Sequence, residues 1–265
     1  MKRFIYHFMA AAILLPIAFT TTPAEAQQET LQFMRPYDAR GINFFESPKD
    51  MQAYDGFEIY WGAAFTQQFQ ALSHENEAEG EDNQLLELGN GFNLATANLF
   101  LGAQLAEGVQ VNVITYLSSQ HHPEAWVEGG YLQVDALPML NSEAIDNLFE
   151  YVTLRVGHFE INYGDAHFRR TDNAQAIYNP FVGNMIMDSF ATEIGGELYV
   201  KSNGLFGMVG ITGGEIKGSV VRPDDRAPSF YGKVGFDRQL NDDVRARLTG
   251  SVYTTSKSLN NTLYS

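Results

Sequence analysis

The chain has 265 residues, a formal net charge of −15 and no cysteine. The acidic balance argues against nucleic-acid binding, which needs a basic surface. The absence of cysteine excludes a disulfide framework, a thiol nucleophile and cysteine-ligated metal sites. With 45% hydrophobic residues and 24 glycines, the chain is long enough to form one large β-rich domain.

The first 26 residues have the three parts of a secretory signal peptide. Lys2 and Arg3 give a positive start, residues 8–19 form an apolar run, and Ala24-Glu25-Ala26 fits a cleavage site. That run is too short to cross a bilayer as a helix, and no later run is long enough. We therefore expect a cleaved signal at residues 1–26, and any membrane span in the mature chain should consist of strands.

Residues 27–56 have no clear hydrophobic period and contain turn signals such as Arg35-Pro36 and Ser47-Pro48. We interpret them as an N-terminal periplasmic lead-in. Two readings stay open for this segment. It is either an irregular extension or a segment packed under or inside the following domain.

From residue 57 onward, apolar and polar side chains alternate, as expected for strands with two different faces. Val109, Val111 and Val113, for example, alternate with Gln110 and Asn112. The strands are predicted at about residues 57–66, 95–105, 109–118, 126–136, 151–161, 190–201, 205–213, 229–240 and 244–256. Most are longer than the roughly 5–6 residues of soluble strands and suit a tilted span of a bilayer. The pattern changes phase at Gly157-His158, which predicts a β-bulge there.

Connection lengths also follow a pattern. Short turns at 106–108, 202–204 and 241–243 follow the second, sixth and eighth strands, and long connections at 70–91, 162–189 and 214–228 follow the first, fifth and seventh. Short periplasmic turns alternating with long external loops are typical of outer-membrane barrels. Residues 137–150 are predicted to hold a short helix capped by Asn141 or Ser142.

The predicted fold class is therefore all-β, an antiparallel transmembrane β-barrel over residues 57–265. Bacterial single-chain barrels generally have an even number of strands, so nine strands indicate an incomplete barrel out of about 14–18. We expect the chain to be truncated at its C-terminus.

Residues 154–164 read Leu-Arg-Val-Gly-His-Phe-Glu-Ile-Asn-Tyr-Gly. The segment resembles LRxGQFKxPFG in porins of the phosphate-selective O/P type and in related porin-like outer-membrane proteins of Gram-negative bacteria. Glu160 and Asn162 stand where that family has Lys and Pro. The resemblance implies a porin-like fold and passive diffusion, but it does not extend to phosphate selectivity, which in that family is associated with lysines and arginines of the lumen.

The polar faces of the predicted strands should line the lumen. The lumen-lining candidates are Arg155, Glu193, Glu197, Lys233, Arg245 and Arg247. Lys201, Glu58, Asp135 and Asp237 share that face, so acids and bases are balanced and the wall alone favours neither sign of ion. Two arrangements remain open: facing rings of opposite charge across a constriction, or solvated charges that pair with one another.

The 162–189 loop carries the candidates for the pore constriction, Asp165, Arg169, Arg170 and Asp172. A loop of this length is usually functional or disordered, and its apolar residues, such as Phe168 and Phe181, favour packing. If the loop folds into the lumen, the two arginines become the constriction charge and attract anions. If it lies on the cell surface, the arginines contact solvent or the phosphates of lipopolysaccharide.

The sequence thus predicts an outer-membrane channel of a Gram-negative bacterium, not an enzyme, through which small hydrophilic solutes or ions diffuse passively. No cofactor or metal is expected, because His158, Glu160 and His167 do not form a convincing ligand set. The expected partners are outer-membrane lipid, lipopolysaccharide and the solutes, with no nucleic acid. A homotrimer is one possible assembly of the chain. The alternatives are a non-pore barrel acting as an enzyme or surface-binding protein, and a soluble β-domain.

Overall fold

The computed structural model describes residues 46, 47, 49, 53–71, 73–77, 80, 85, 89–118, 125–165, 192–215 and 226–257. The strands in these ranges are β1 (Glu58–Gln70), β2 (Gly91–Ala106), β3 (Val109–Ser118), β4 (Trp126–Val134), β5 (Val152–Glu160), β6 (Thr192–Ser202), β7 (Leu205–Glu215), β8 (Ser229–Gln239) and β9 (Arg245–Thr255). A short 3-10 helix (Pro138–Leu140) and one α-helix, α1 (Glu143–Phe149), lie between β4 and β5.

The nine strands form one sheet in which each strand pairs with the next in the sequence. Every pairing is antiparallel. The all-β antiparallel architecture and the nine predicted strands are therefore confirmed. Within the described residues β1 and β9 are not paired with each other, so the sheet is not closed.

Because the sheet is a meander, its connections separate to two ends. At one end, here called the turn end, Glu107-Gly108 joins β2 to β3, Asn203-Gly204 joins β6 to β7, and α1 precedes β5. Asn203 and Gly204 both have positive φ angles, 51° and 84°, as a two-residue hairpin of the Asn-Gly kind requires. The opposite end, called the loop end, carries the connections after β1, β3, β5 and β7.

The predicted helix is present, but its predicted cap is only partly right. Ser142 occupies the N-cap position of α1, yet its side chain makes no capping hydrogen bond. Asn141 has a left-handed backbone at the end of the 3-10 helix, and its N–H donates to the carbonyl of Pro138. Asn141 therefore ends the first helix and does not cap the second.

The bulge predicted at Gly157-His158 is wrong. β5 pairs in unbroken register with both β4 and β6 through these two residues. Phe159 and Ile161 keep the inward direction of Arg155 and are buried, so the change of pattern reflects the type of side chain and not a slip of the backbone. The register shifts of the sheet fall at Thr66/Gln68, Gln104/Ala106, Ile114/Thr115 and Glu193/Gly195.

The two faces of the sheet have opposite chemistry. One face is buried although it is polar, with inward side chains that include Thr96, Asn98, Gln104, Gln110, Asn112, Gln133, Thr153, Arg155, Glu193, Glu197 and Lys233. The other face is exposed although it is apolar, with outward side chains that include Ile59, Trp61, Phe65, Leu99, Leu101, Val127, Ile194, Leu198, Val209, Ile211, Phe230, Val234, Leu248 and Val252. This reverses the distribution usual in water-soluble proteins.

The sheet curves around its polar face. The hydroxyl of Tyr253 on β9 donates to Glu193 Oε1 on β6 over 2.7 Å. In a flat sheet these strands would lie three spacings apart, about 14 Å, and two side chains that stand roughly perpendicular to the sheet would not bridge that distance. The inward face is therefore concave and encloses an interior. No helix in the described part of the chain is long and apolar enough to span a membrane.

Candidate functional site

The chain turns back into the concave interior directly after β5. Ile161 and Asn162 are buried. The N–H of Gly164 donates to Ser251 Oγ over 3.0 Å, and Asp165 Oδ2 accepts from Thr249 Oγ1 over 2.8 Å. Thr249 and Ser251 belong to β9, four strands away from β5, so the first residues of the 162–189 loop lie inside the curve of the sheet.

Six charged side chains meet in this interior and form what we call the interior ion cluster. Its acids are Glu46, Asp165 and Asp237, and its bases are Lys233, Arg245 and Arg247. Lys233 Nζ lies 2.6 Å from Asp165 Oδ1 and 3.7 Å from Glu46 Oε1. The cluster thus draws on the segment before β1, on the start of the loop after β5, and on strands β8 and β9.

Arg247 is the centre of the cluster. Its guanidinium lies 2.7 Å from Asp237 Oδ2, 2.9 Å from Asp165 Oδ1 and 3.1 Å from Glu46 Oε1. Arg245 completes the pairing by donating to both oxygens of Asp237 over 2.6 Å each. Such bidentate contacts fix orientation as well as charge, so the bases are held in defined positions.

Asp165 lies outside the nine strands and is ionised through these contacts. Burial by itself would raise its pKa. The hydrogen bonds and positive charges of Arg247 and Lys233 outweigh burial and hold the pKa of Asp165 well below its ordinary value. The loop therefore brings a fixed negative charge into the interior.

A second group surrounds Arg155, which is buried on β5. Its guanidinium donates to Gln133 Oε1 over 3.1 Å, lies 3.5 Å from Glu197 Oε2, and sits 4.7 Å from the ring centre of Tyr131. Glu197 also accepts from the hydroxyls of Tyr199 and Tyr231 over 2.7 and 2.8 Å. This buried pair is thus neutral as a whole and well supplied with hydrogen bonds, as burial of charges requires.

Asn162 connects this second group with the interior ion cluster. Its side chain donates to Glu46 Oε1 over 3.0 Å and accepts from Lys233 Nζ over 2.8 Å, while its N–H donates to Glu197 Oε1 over 3.3 Å. A proline has no N–H and no side-chain amide. Asn162 therefore makes contacts that a proline at this position could not make.

Glu193 occupies a different environment, near the loop end. Its carboxylate accepts from Tyr253 over 2.7 Å, from Ser229 over 3.4 Å and from Thr212. Within the described residues it makes no ion pair. Three hydroxyl donors therefore surround the buried carboxylate of Glu193. In the interior ion cluster, by contrast, arginine and lysine side chains lie beside the acids.

The six lumen-lining candidates, Arg155, Glu193, Glu197, Lys233, Arg245 and Arg247, all lie on the inward face, and the structure brings three of them into the interior ion cluster with Asp165. The other constriction candidates, Arg169, Arg170 and Asp172, lie outside the described residues. Sequence reasoning missed Glu46 and Lys49, because their partners lie about a hundred residues or more away in the chain.

In the ranges that the structure describes, no group of three or more histidines and acids is arranged to hold a metal ion. No protein-family model, curated protein or solved structure matches the chain.

Proposed function

We propose that the chain forms the wall of a porin-like channel in the outer membrane of a Gram-negative bacterium. Small hydrophilic solutes or ions diffuse passively through a water-filled interior that the 162–189 loop narrows. The observation that carries this proposal is the reversal of the two faces: charged side chains are buried inside the curve, and apolar side chains are exposed outside it.

The outward face suits lipid. Water-soluble monomers seldom expose contiguous apolar patches above a few hundred Å², whereas membrane barrels present an apolar band about 25 Å tall. A strand of 11 residues such as β8 rises about 36 Å, which is about 25 Å across a bilayer at a tilt near 45°. Strand length and outward chemistry therefore fit one bilayer thickness.

The proposal requires closure of the sheet. Unpaired backbone groups in lipid cost several kcal/mol each, so spanning sheets have no open edge. In the membrane the edges of β1 and β9 must therefore be paired, either with further strands or with each other. We propose pairing with further strands, in a barrel of about 14–18.

The interior supplies the selectivity of such a channel. Asp165 enters from the loop and pairs with Lys233 of β8 and Arg247 of β9, so fixed charges of both signs lie beside the space that solutes cross. Fixed charges of this kind select ions through their placement and through the width of the passage. No covalent chemistry is involved, and the channel selects solutes by their size and charge.

The test is single-channel recording of the refolded protein in planar bilayers under a KCl gradient. We expect discrete and stable conductance steps. Replacing Arg169 and Arg170 by Gln should shift the reversal potential toward cation preference, whereas Lys257→Gln, at an exposed position after β9, should leave it unchanged.

A folded barrel that stays electrically silent would overturn the channel proposal. It would leave the rival function, a non-pore barrel that acts as an enzyme or a surface-binding protein. A conducting barrel whose reversal potential does not change when Arg169 and Arg170 are replaced would support the channel and show that these two arginines do not line the path of the ions.

A further inference from the structure

The segment before β1 enters the interior of the sheet. Glu46 and Ser47 are 3% and 4% exposed. Glu46 Oε1 accepts from Asn162 Nδ2 over 3.0 Å and from Arg247 Nη2 over 3.1 Å. The second contact joins residues 201 positions apart in the chain, so Glu46 and Ser47, which belong to the described part of the lead-in, are packed inside the structure.

Lys49 fixes this segment at the turn end. Its Nζ donates to the carbonyls of Asp135 and Phe149 over 2.9 Å each and to the carbonyl of Val152, and it lies 3.3 Å from the carboxylate of Asp135. These acceptors surround the connection that carries α1. One ammonium therefore ties the lead-in to the end of β4, to the end of α1 and to the start of β5.

The direction of the segment follows from its two ends. Lys49 is held at the turn end, while Glu46 reaches the interior ion cluster. Three residues of extended chain span at most about 10 Å. Glu46 and Lys49 therefore connect the interior ion cluster with the turn end over about 10 Å of chain at most. A further contact, from Lys201 Nζ to the carbonyl of Ser47 over 3.4 Å, holds it from the side of β6.

We propose that this segment, which we call the N-terminal strap and define by Glu46, Ser47 and Lys49, is a second constriction element of the channel, and that the Glu46 carboxylate sets its preference among small ions. This role rests on the channel function proposed above. Glu46 supplies one of the three negative charges of the interior ion cluster, facing three bases. Without the Glu46 carboxylate, the cluster would have three positive and two negative charges.

The bonding of Glu46 supports this role. All its contacts use Oε1, whereas Oε2 is buried and has no hydrogen-bond partner among the described residues. A buried carboxylate oxygen without a partner is costly for stability alone. The described contacts use only one oxygen of the carboxylate, and its negative charge offsets the positive charges of Lys233 and Arg247.

The electrical test is Glu46→Gln, which removes one charge and keeps the shape. A unit charge about 6 Å from the path of an ion changes its local concentration roughly threefold even at the dielectric constant of water. We expect the ratio of chloride to potassium permeability to rise by at least that factor. Asp242→Asn, on the exposed connection between β8 and β9, is the matched control and should keep the wild-type ratio.

A second test does not require conduction. Because the chain has no cysteine, Ser47→Cys and Ser202→Cys each create a single thiol, one in the strap and one on the exposed end of β6. In the folded protein we expect a polyethylene glycol maleimide to label Ser47→Cys at least about tenfold more slowly, because labelling needs local opening. In urea the two variants should react equally fast.

The outcomes separate the two proposals. Wild-type conduction with an unchanged permeability ratio in Glu46→Gln would overturn the role of Glu46 and leave the channel standing. Equal labelling of both thiols in the folded protein would overturn the strap. Silent bilayers with slow labelling of Ser47→Cys would overturn the channel, and the selectivity role with it, while the strap remained an internal packing element.

Discussion

Lys233 and Val234 are adjacent in β8 and face opposite ways. Lys233 is 2% exposed and contacts Asn162, Gly164 and Asp165, whereas Val234 is 67% exposed. In water the better arrangement would be the reverse, since burying an ammonium costs several kcal/mol and exposing valine forfeits the hydrophobic gain. The contrast makes sense if the outer surroundings are apolar and the interior is polar.

The difference between the faces predicts which substitutions each face tolerates. The inward face depends on pairing, so the loss of one partner leaves another charge buried alone. If the outward face lies in lipid, as we propose, it depends on the absence of charge, and adding a charge there is costly. The inward face should therefore be sensitive to removal of charge and the outward face to its introduction.

The strongest effect should come from removing Lys233. Lys233→Met leaves Asp165 and Glu46 with fewer partners, and breaking a buried ion pair by deleting one member typically costs about 3–5 kcal/mol. Urea unfolding in lipid vesicles should show a lower midpoint for this variant. Val234→Met, one residue along on the opposite face, is the matched control and should unfold at the wild-type midpoint. Equal loss in both variants would contradict the assignment of the faces.

An arginine placed on the outward face tests the lipid side. Leu99 lies in the middle of β2 and is exposed. Leu99→Arg should cost about 2–4 kcal/mol at the bilayer midplane, whereas an arginine near the interface costs about 0–1 kcal/mol. Leu105→Arg, one residue from the end of β2, is therefore the control. Folding yield into vesicles is the measurement, and equal yields for both variants would argue for a soluble sheet.

Strand positions could be predicted because alternation is a local property. Each side chain points opposite to its neighbour, so a polar and an apolar face are visible in the sequence wherever they differ. The same reasoning failed at β5, where the inward face changes from Arg155 to Phe159 and Ile161. These residues pack with Tyr131, Tyr199 and other inward side chains. Alternation alone does not distinguish such a change of side-chain type from a change of backbone register.

The candidate site could be predicted only in part, for a related reason. Alternation placed Lys233, Arg245 and Arg247 on one face, but it could not show which acids pair with them. Those pairs depend on the curvature of the sheet and on two segments that enter from outside it. Glu46 and Asp165 carry no periodic signal, since neither belongs to a strand.

Tyr231 offers a smaller test of the inward network. Its hydroxyl donates to Glu197 Oε1 over 2.8 Å in a buried position, and hydrogen bonds to charged groups contribute about 1.5–3 kcal/mol. Tyr231→Phe removes this bond and keeps the ring. The free energy of unfolding should therefore fall by about 1.5–3 kcal/mol, which lowers the urea midpoint. Tyr54→Phe, at an exposed tyrosine before β1, should leave it unchanged. A network that loses nothing in Tyr231→Phe would be one in which water replaces the hydroxyl.

The smallest effect concerns pH and depends on Asp165. Burial would raise the pKa of this carboxyl, but its contacts with Arg247 and Lys233 lower it overall, while in the unfolded chain an aspartate has a pKa of about 3.9. A carboxylate whose pKa is lower in the folded state stabilises the protein fully above the unfolded value, and this contribution declines as the pH falls toward the folded value. Asp165→Asn lacks the contribution at every pH. The difference in unfolding free energy between wild type and Asp165→Asn should therefore narrow from about pH 6 to about pH 3, as measured by urea unfolding in vesicles. A constant difference over that range would mean that the loop does not carry an ion pair into the interior.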